Sequence, residues 1–329
     1  MIELIMFPDL YYCITAYNEE GNILNCLASL AAQDLKANIE TIVCLNGCTD
    51  RTERILLKAA VLYPLLNIQV IHSNRGKSFA QNAIFRNVKN KDVPLVFIDA
   101  DVTLDTKCIN ILYKELCALR QLIIAGAWPT PYSPRFITNW ERFLFKVLHI
   151  RAFYPEAEVS INNVSNYKNY VKERPQPNMS IRRELRSKIY FHGRTFMIRN
   201  ANYFCLPEDA NVADDTYLPN MIHTKYGPGT IRTRYDAFVY YKPYLSIKEH
   251  YKTYRRVYIN LYYLDIVFKD FKHSRIMEKT KLDWNFIFLQ GFSIVNIFIL
   301  YSLIKKMEFF FYRILPKKPI LEIWRYNKK

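Results

Sequence analysis

Asp99-Ala100-Asp101 closes an apolar run, Pro94 to Ile98, and sets two carboxylates two residues apart where a strand would stop. From such a turn both can reach one hard cation, since Mg²⁺ or Mn²⁺ takes a few protein oxygens and fills its shell with phosphate oxygens. A second acidic pair, Asp214-Asp215, sits in Ala-Asp-Asp-Thr-Tyr-Leu and reads as a helix start. Carboxylates suit the dipole there, and that is role enough for Asp214; Asp215 is also a candidate general base for an attacking hydroxyl. Glu208-Asp209 is a rival pair, ranked lower because Pro207 precedes it and no helical Leu follows. Gly76-Lys77 stands before a helix beginning near Ser78, where backbone N–H groups and a lysine favour phosphate, although an ordinary turn with a solvated lysine fits as well. Arg255-Arg256, one turn after Lys252, can close over a diphosphate or face solvent and lipid headgroups. The six His show no metal-ligand spacing, and neither His-Glu-x-x-His nor a Gly-x-Ser-x-Gly elbow occurs.

Positioning these groups falls to an alternation of short apolar runs and amphipathic stretches. Strands are expected at Leu10–Ala16, Glu40–Leu45, Ile68–His72 and Pro94–Ile98, with helices at Asn22–Ala32, Asp50–Tyr63, Ser78–Asn87 and Thr106–Leu119. That order argues for βαβ units and a parallel sheet covered on both faces, whose ligands bind beyond the carboxyl ends of the strands. Each expected strand ends in a polar group: Tyr17-Asn18-Glu19, Asn46-Gly47, Asn74-Arg75-Gly76-Lys77 and Asp99-Ala100-Asp101. Further on, Trp128–Glu173 reads as mixed helix and loop, Phe191–Arg199 and Ile231–Tyr241 as strands, and Ile247–Phe271 as a helix. Phe286–Ile304 is the most apolar window.

The chain of 329 residues carries 46 Lys and Arg against 30 Asp and Glu, a net charge of +16 that calls for an anionic partner. The excess lies after about Arg135 and is densest from Lys242 onward, among many of the 25 Tyr and 21 Phe. Basic residues mixed with aromatics suit an anionic membrane surface, and no zinc-finger, basic-region or RNA-binding pattern points to nucleic acid. The seven Cys include no Cys-x-x-Cys pair, as expected of a reducing compartment, and the N-terminus lacks the basic start of a signal peptide.

ITAYNEEGNILNCLASL, VCLNGCTDRT, NRGKSFAQNAIF, FIDADVTLD, GRTFMIRN and VADDTYL follow one another in an order and at spacings that resemble the family-2 glycosyltransferases of GT-A fold. The likeness covers roughly residues 9–260. It implies an inverting, divalent-metal-dependent enzyme acting on a nucleotide diphosphate sugar, a UDP-sugar being favoured. By the same resemblance Thr15, Tyr17 and Glu19 form the first nucleotide-binding loop, with Thr15 where the family more usually has Pro. Asn46 matches a position, often Asp, that reads the base, and Lys77 lies near the nucleotide or its phosphates. Asp99 and Asp101 match the Asp-x-Asp motif for Mn²⁺ or Mg²⁺, with Asp101 the closer ligand and Asp99 also facing the nucleotide sugar; Asp215 matches the catalytic base. Processive members carry Gln-x-x-Arg-Trp where this chain reads Lys252-Thr-Tyr-Arg255-Arg256. Transfer of a single sugar is therefore expected, and the departure leaves open the role of Arg255 and Arg256 as nucleotide-sugar contacts.

The expected organisation is a GT-A catalytic domain over 1–245 and a helical, basic, membrane-associated region over 246–329. Phe286–Ile304 is just long enough to span a bilayer, yet Gln290, Ser293 and Asn296 fall on one helix face and basic clusters flank it on both sides. A span would export one of those clusters, so monotopic or peripheral attachment at the cytosolic face, in a bacterial inner membrane, is expected instead. The acceptor expected there is lipid-linked or a surface glycan. Two other readings remain. A metal-dependent nucleotidyltransferase would want a Gly-rich basic loop where Tyr17-Asn18-Glu19-Glu20 is acidic, and a non-catalytic membrane scaffold would not need Asp99, Asp101 and Asp215.

Overall fold

The computed structural model describes residues 8–134, 138–160, 191–203, 206–207, 213–227, 229–267 and 280–314. The rival pair Glu208-Asp209 and the basic residues Lys269, Lys272, Arg275, Lys279, Lys317 and Lys318 lie outside the described residues.

Leu10–Ala16 (β1), Ile39–Asn46 (β2), Ile68–Ser73 (β3) and Leu95–Asp99 (β4) run parallel in the order β3-β2-β1-β4. Their apolar sequences follow from burial on both faces: Leu10 to Ile14 are wholly inaccessible. Helices Ile23–Ala31 (α1), Thr52–Leu62 (α2) and Lys77–Asn87 (α3) connect them, so all four strands end at one rim.

Beyond β4 the sheet changes character. Val102–Leu104 (β5) and Ile124–Pro131 (β6) join it on either side of Cys108–Ala118 (α4). Glu158–Ser160 (β7) pairs elsewhere, as described below. Thr195–Ile198 (β8) and Ile231–Tyr241 (β9) complete an eight-stranded order β3-β2-β1-β4-β8-β6-β9-β5. β8 is antiparallel to both β4 and β6, and β5 is antiparallel to β9. The expected parallel sheet is therefore parallel only in its first half. The free edge of β4 is taken by a strand that arrives from far along the chain and needs no crossover helix, as antiparallel pairing allows. β6 and β7 correct the reading of mixed helix and loop at Trp128–Pro131 and at Glu158–Ser160, while the helices Asn139–Leu148 and Ile150–Phe153 bear it out between them and 161–173 lie outside the described residues. A strand interior disfavours proline, and β6 accommodates Pro129 and Pro131 because its ladder with β8 uses only Ile124–Gly126, ahead of both. At the seam Phe97 stacks on Phe196 at 5.3 Å, and Phe191 lies 4.4 Å from Phe196.

Compactness divides the chain differently from a single cut near residue 245. The described residues up to Pro129 and from 191 to Tyr241 form one unit; those from Thr130 to 160 and from Lys242 to 314 form another. In the second unit Asn139–Leu148 begins with a reciprocal cap between Thr138 and Glu141, and β7 pairs antiparallel with Thr280–Leu282 (β10). Val147, Ile150, Ala157, Ile287, Val295, Phe298 and Tyr301 make its core. His250, on the Ile247–Val267 helix, meets Glu308 through Nδ1 at 2.5 Å, both side chains being buried. Burial holds the His250 pKa below its ordinary value even beside that carboxylate. The window 286–304 is not one helix: Trp284–Leu289 ends at Gln290, Gly291 turns the chain at φ +95°, and Phe292–Ile314 follows. Among the described residues no helix is long and apolar enough to cross a membrane.

Candidate active site

The rim at the carboxyl ends of β1 to β4 is held by side chains that fasten one loop to the next. After β1, Asn18 takes a left-handed conformation (φ 53°) and its Oδ1 accepts from the Thr49 N–H at 2.8 Å. The Glu19 N–H donates to Thr52 Oγ1 at 2.8 Å, and the Glu19 carboxylate, buried, accepts from Asn22 at 2.7 Å. The Glu20 N–H donates to Asp50, and Glu20 pairs with Arg51 at 3.0 Å. The loop after β1 thus rests on the loop after β2. Asn46, buried at the end of β2, accepts the Gly76 N–H on its Oδ1 at 2.5 Å, so the loop after β2 is fixed to the start of α3. The Arg75 guanidinium lies 4.4 Å from the centre of the Tyr17 ring, a cation–π contact that joins the first and third loops. Thr15 stands beside Asp99, its partner in the β1–β4 ladder.

Lys77, the first residue of α3, gathers the acidic motifs. Its Nζ lies 2.7 Å from Asp99 Oδ1 and 3.1 Å from Asp214 Oδ2, and donates to the Gly193 carbonyl at 3.0 Å. Asp214, only 3% exposed, also accepts from Gln81 Nε2 at 2.7 Å and from the Asp215 N–H at 2.9 Å. A Cβ at Gly193 would come within 2.7 Å of Asp214 Oδ1, so any larger residue would force the Asp214 side chain to shift. Its N–H reaches toward Asp215 Oδ2 at 3.4 Å. The two residues that open the Asp214–Tyr226 helix therefore part company. Asp214 turns inward to the lysine, and Asp215 stays partly exposed.

Burial raises the Asp99 pKa; Lys77 opposes the rise, and the negative charges of Asp101 and Asp214 add to it, leaving the group at about 6. For Lys77 burial works to lower the pKa, but Asp214 and Asp99 overcome it and hold the ammonium above its ordinary value. Among the described residues no group of three or more His, Cys, Asp or Glu is arranged to hold a metal by itself. Asp99, about a quarter exposed, and the exposed Asp101 suit a cation that takes the rest of its oxygens from a diphosphate and water.

Of the residues singled out in the sequence, Thr15, Asn46, Lys77, Asp99 and Asp215 belong to this rim and its hydrogen-bonded neighbourhood, with Tyr17 and Glu19 in the adjoining loop. Arg255 and Arg256 lie on the Ile247–Val267 helix of the other unit. Sequence reasoning missed Gln81, Gly193 and the part played by Asp214. Gln81 stands four residues after Lys77 on the same helix face, a spacing that offered a signal.

A mannosyltransferase from Pyrobaculum calidifontis, solved with GDP-Man and Mn²⁺, is similar at 18% identity over 78% of this chain and 62% of that one, with a TM-score of 0.51. S. aureus TarS 1-349 with UDP-GlcNAc matches at 18% identity over 76% and 66%, TM-score 0.47. Glucosyl-3-phosphoglycerate synthase from Mycobacterium tuberculosis, with Mn²⁺, UDP and glucosyl-3-phosphoglycerate, matches at 14% identity over 77% and 78%, TM-score 0.44. The chain spans 39% of another TarS structure and 64% of TarS 1-349 with UDP. No curated protein sequence matches it. The likeness to the mannosyltransferase supports the GT-A sheet. Residues 11–202, more than half of the chain, match the model of glycosyl transferase family 2, and the chain belongs to that family.

Proposed function

We propose that this chain moves one sugar, with inversion, from a nucleotide diphosphate sugar to a hydroxyl of a lipid-linked or surface-glycan acceptor. One observation carries the reading. Lys77 touches both Asp99 of the Asp-x-Asp motif and Asp214 of the second acidic pair, so the groups suited to a diphosphate and the group suited to a proton share one rim.

In this reading the loops after β1 and β2 receive the nucleoside, with Asn46 and Tyr17 beside it. Asp99 and Asp101 would hold Mg²⁺ or Mn²⁺, which when bound neutralises charge on the departing diphosphate. Lys77 adds a fixed positive charge at the same point, already held in place by Asp214 and Gly193. Asp215 accepts the proton of the acceptor hydroxyl as its oxygen bonds to the anomeric carbon. The bond from that carbon to the diphosphate breaks on the opposite side, and the nucleoside diphosphate leaves with the electron pair. Among nucleotide sugars a UDP-sugar is the favoured donor, in keeping with the motif resemblance.

Asp215→Asn tests the assignment. Donor affinity should stay within about twofold of the parent, and transfer should fall by roughly 10² to 10⁴. Equal transfer rates for the variant and the parent would remove Asp215 from the role.

A further inference from the structure

The Phe292–Ile314 helix is apolar on two opposite faces. One face is in the core of its unit, where Val295, Phe298, Tyr301, Glu308 and Tyr312 are buried. At 100° per residue the opposite arc carries Phe292, Ile299, Leu300, Leu303, Met307, Phe310 and Ile314, with Asn296 the one polar residue among them. All are exposed, with Phe292 81%, Met307 59%, Phe310 60% and Ile314 63% accessible. A stripe of this kind running the length of a helix of 23 residues far exceeds the single exposed apolar residues of ordinary surfaces.

The charges on this helix are sorted as well. Its one acidic residue, Glu308, faces inward and is held by His250 and Lys305. The outer arc has no acidic group, while Lys306 and Arg313, seven residues apart, lie along the same margin and are exposed. Long basic side chains beside an apolar stripe place their stems on hydrocarbon and their charges among headgroups. A second copy packed antiparallel on the same face would set the basic margins against each other, and one packed parallel would leave each margin without an anionic partner from this face. An anionic lipid surface meets both the apolar stripe and the basic margin.

We infer that the outer arc of the Phe292–Ile314 helix is a docking surface for an anionic bilayer, with the helix lying in the plane of the headgroups and Leu303, Met307 and Phe310 inserted. The inward face stays in the core, so the helix cannot cross the membrane without giving up its buried His250–Glu308 pair. This goes beyond the proposed transfer reaction and does not depend on it.

The test uses the full chain with vesicles of phosphatidylcholine alone or with 30% phosphatidylglycerol, compared by co-sedimentation. The parent should bind the anionic vesicles at least tenfold more tightly. The double variant Leu303→Glu, Met307→Glu should lose at least tenfold on both compositions, whereas Lys306→Glu should lose only the preference for anionic lipid. Val61→Glu, at an exposed apolar site of the other unit, should change neither. Separately, the Phe310→Trp variant should shift its emission to the blue on anionic vesicles and be quenched by brominated acyl chains, a readout that needs no destabilising charge. Unchanged binding by the double variant, or neither shift nor quenching in the Phe310→Trp variant, would overturn the inference. So would a parent dimer that the double variant dissociates without any binding to vesicles, since the face would then join two copies. Hydrolysis of free donor by the double variant should equal that of the parent, which separates failure at this surface from failure of the proposed chemistry.

Discussion

Lys77 decides how the acidic groups of the rim behave. Its ammonium holds Asp99 down against burial and against Asp101 and Asp214, so its removal should let the Asp99 pKa climb above its present value of about 6. A carboxylate must be ionised to serve a metal, and the ionised fraction grows as pH rises through the pKa. Lys77→Met should therefore move the acid limb of the kcat/KM profile to higher pH by at least half a unit, besides lowering its plateau. An acid limb at the parent's pH would mean that Lys77 does not control Asp99. Breaking a fully buried ion pair costs about 3–5 kcal/mol, and Lys77 is partly exposed, so the variant should lose about 2 kcal/mol in denaturant unfolding. Asp214 and Asp215 are expected to differ in kind. Asp214→Asn should lower the melting temperature and weaken donor binding, while Asp215→Asn should do neither. The sequence made Asp99, Asp101 and Asp215 legible because carboxylates at a strand end or a helix start are exposed by default. It could not separate Asp214 from its neighbour, since only the approach of Lys77 and Gln81 from α3 turns one of them inward.

At the level of elements, β1 to β4 were readable because each is a short apolar run buried on both faces, followed at once by polar residues. β6 was not, since its two prolines lie inside the strand but outside its ladder with β8, a distinction that pairing alone reveals. β5, three residues that pair with β9, is too short for any periodicity to show. The break at Gly291 was hidden by the apolar composition on both sides of it. Gly193, just before β8, lies against the Asp214 side chain at the start of its helix. Gly193→Ala would drive a Cβ to 2.7 Å from Asp214 Oδ1, and overpacking of this kind costs about 1–3 kcal/mol. The melting temperature should drop and transfer should fall at least tenfold, because Asp214 and the N–H facing Asp215 would move together. An alanine variant as stable and active as the parent would show that this approach is not required.

On the scale of the whole chain, chemistry and charge are separated along the sequence. The acidic rim belongs to the unit built on the eight-stranded sheet, and the described basic and aromatic residues from Lys242 to Ile314 belong to the other. Composition disclosed that separation but not where the chain divides, because residues 138–160 join the later unit by packing against Ile287, Val295 and Phe298, contacts that no local pattern announces. We propose that the rim holding Asp99, Asp101, Lys77 and Asp215 is a metal-dependent donor site. It is tested most directly by donor hydrolysis across UDP-, GDP- and dTDP-sugars, with Mn²⁺, with Mg²⁺ and with EDTA, for the parent and for Asp101→Asn. Turnover of one nucleotide sugar, a UDP-sugar first, should need the divalent ion and fall at least a hundredfold in Asp101→Asn while the fold is kept. Full turnover in EDTA, or an Asp101→Asn variant as active as the parent, would contradict it.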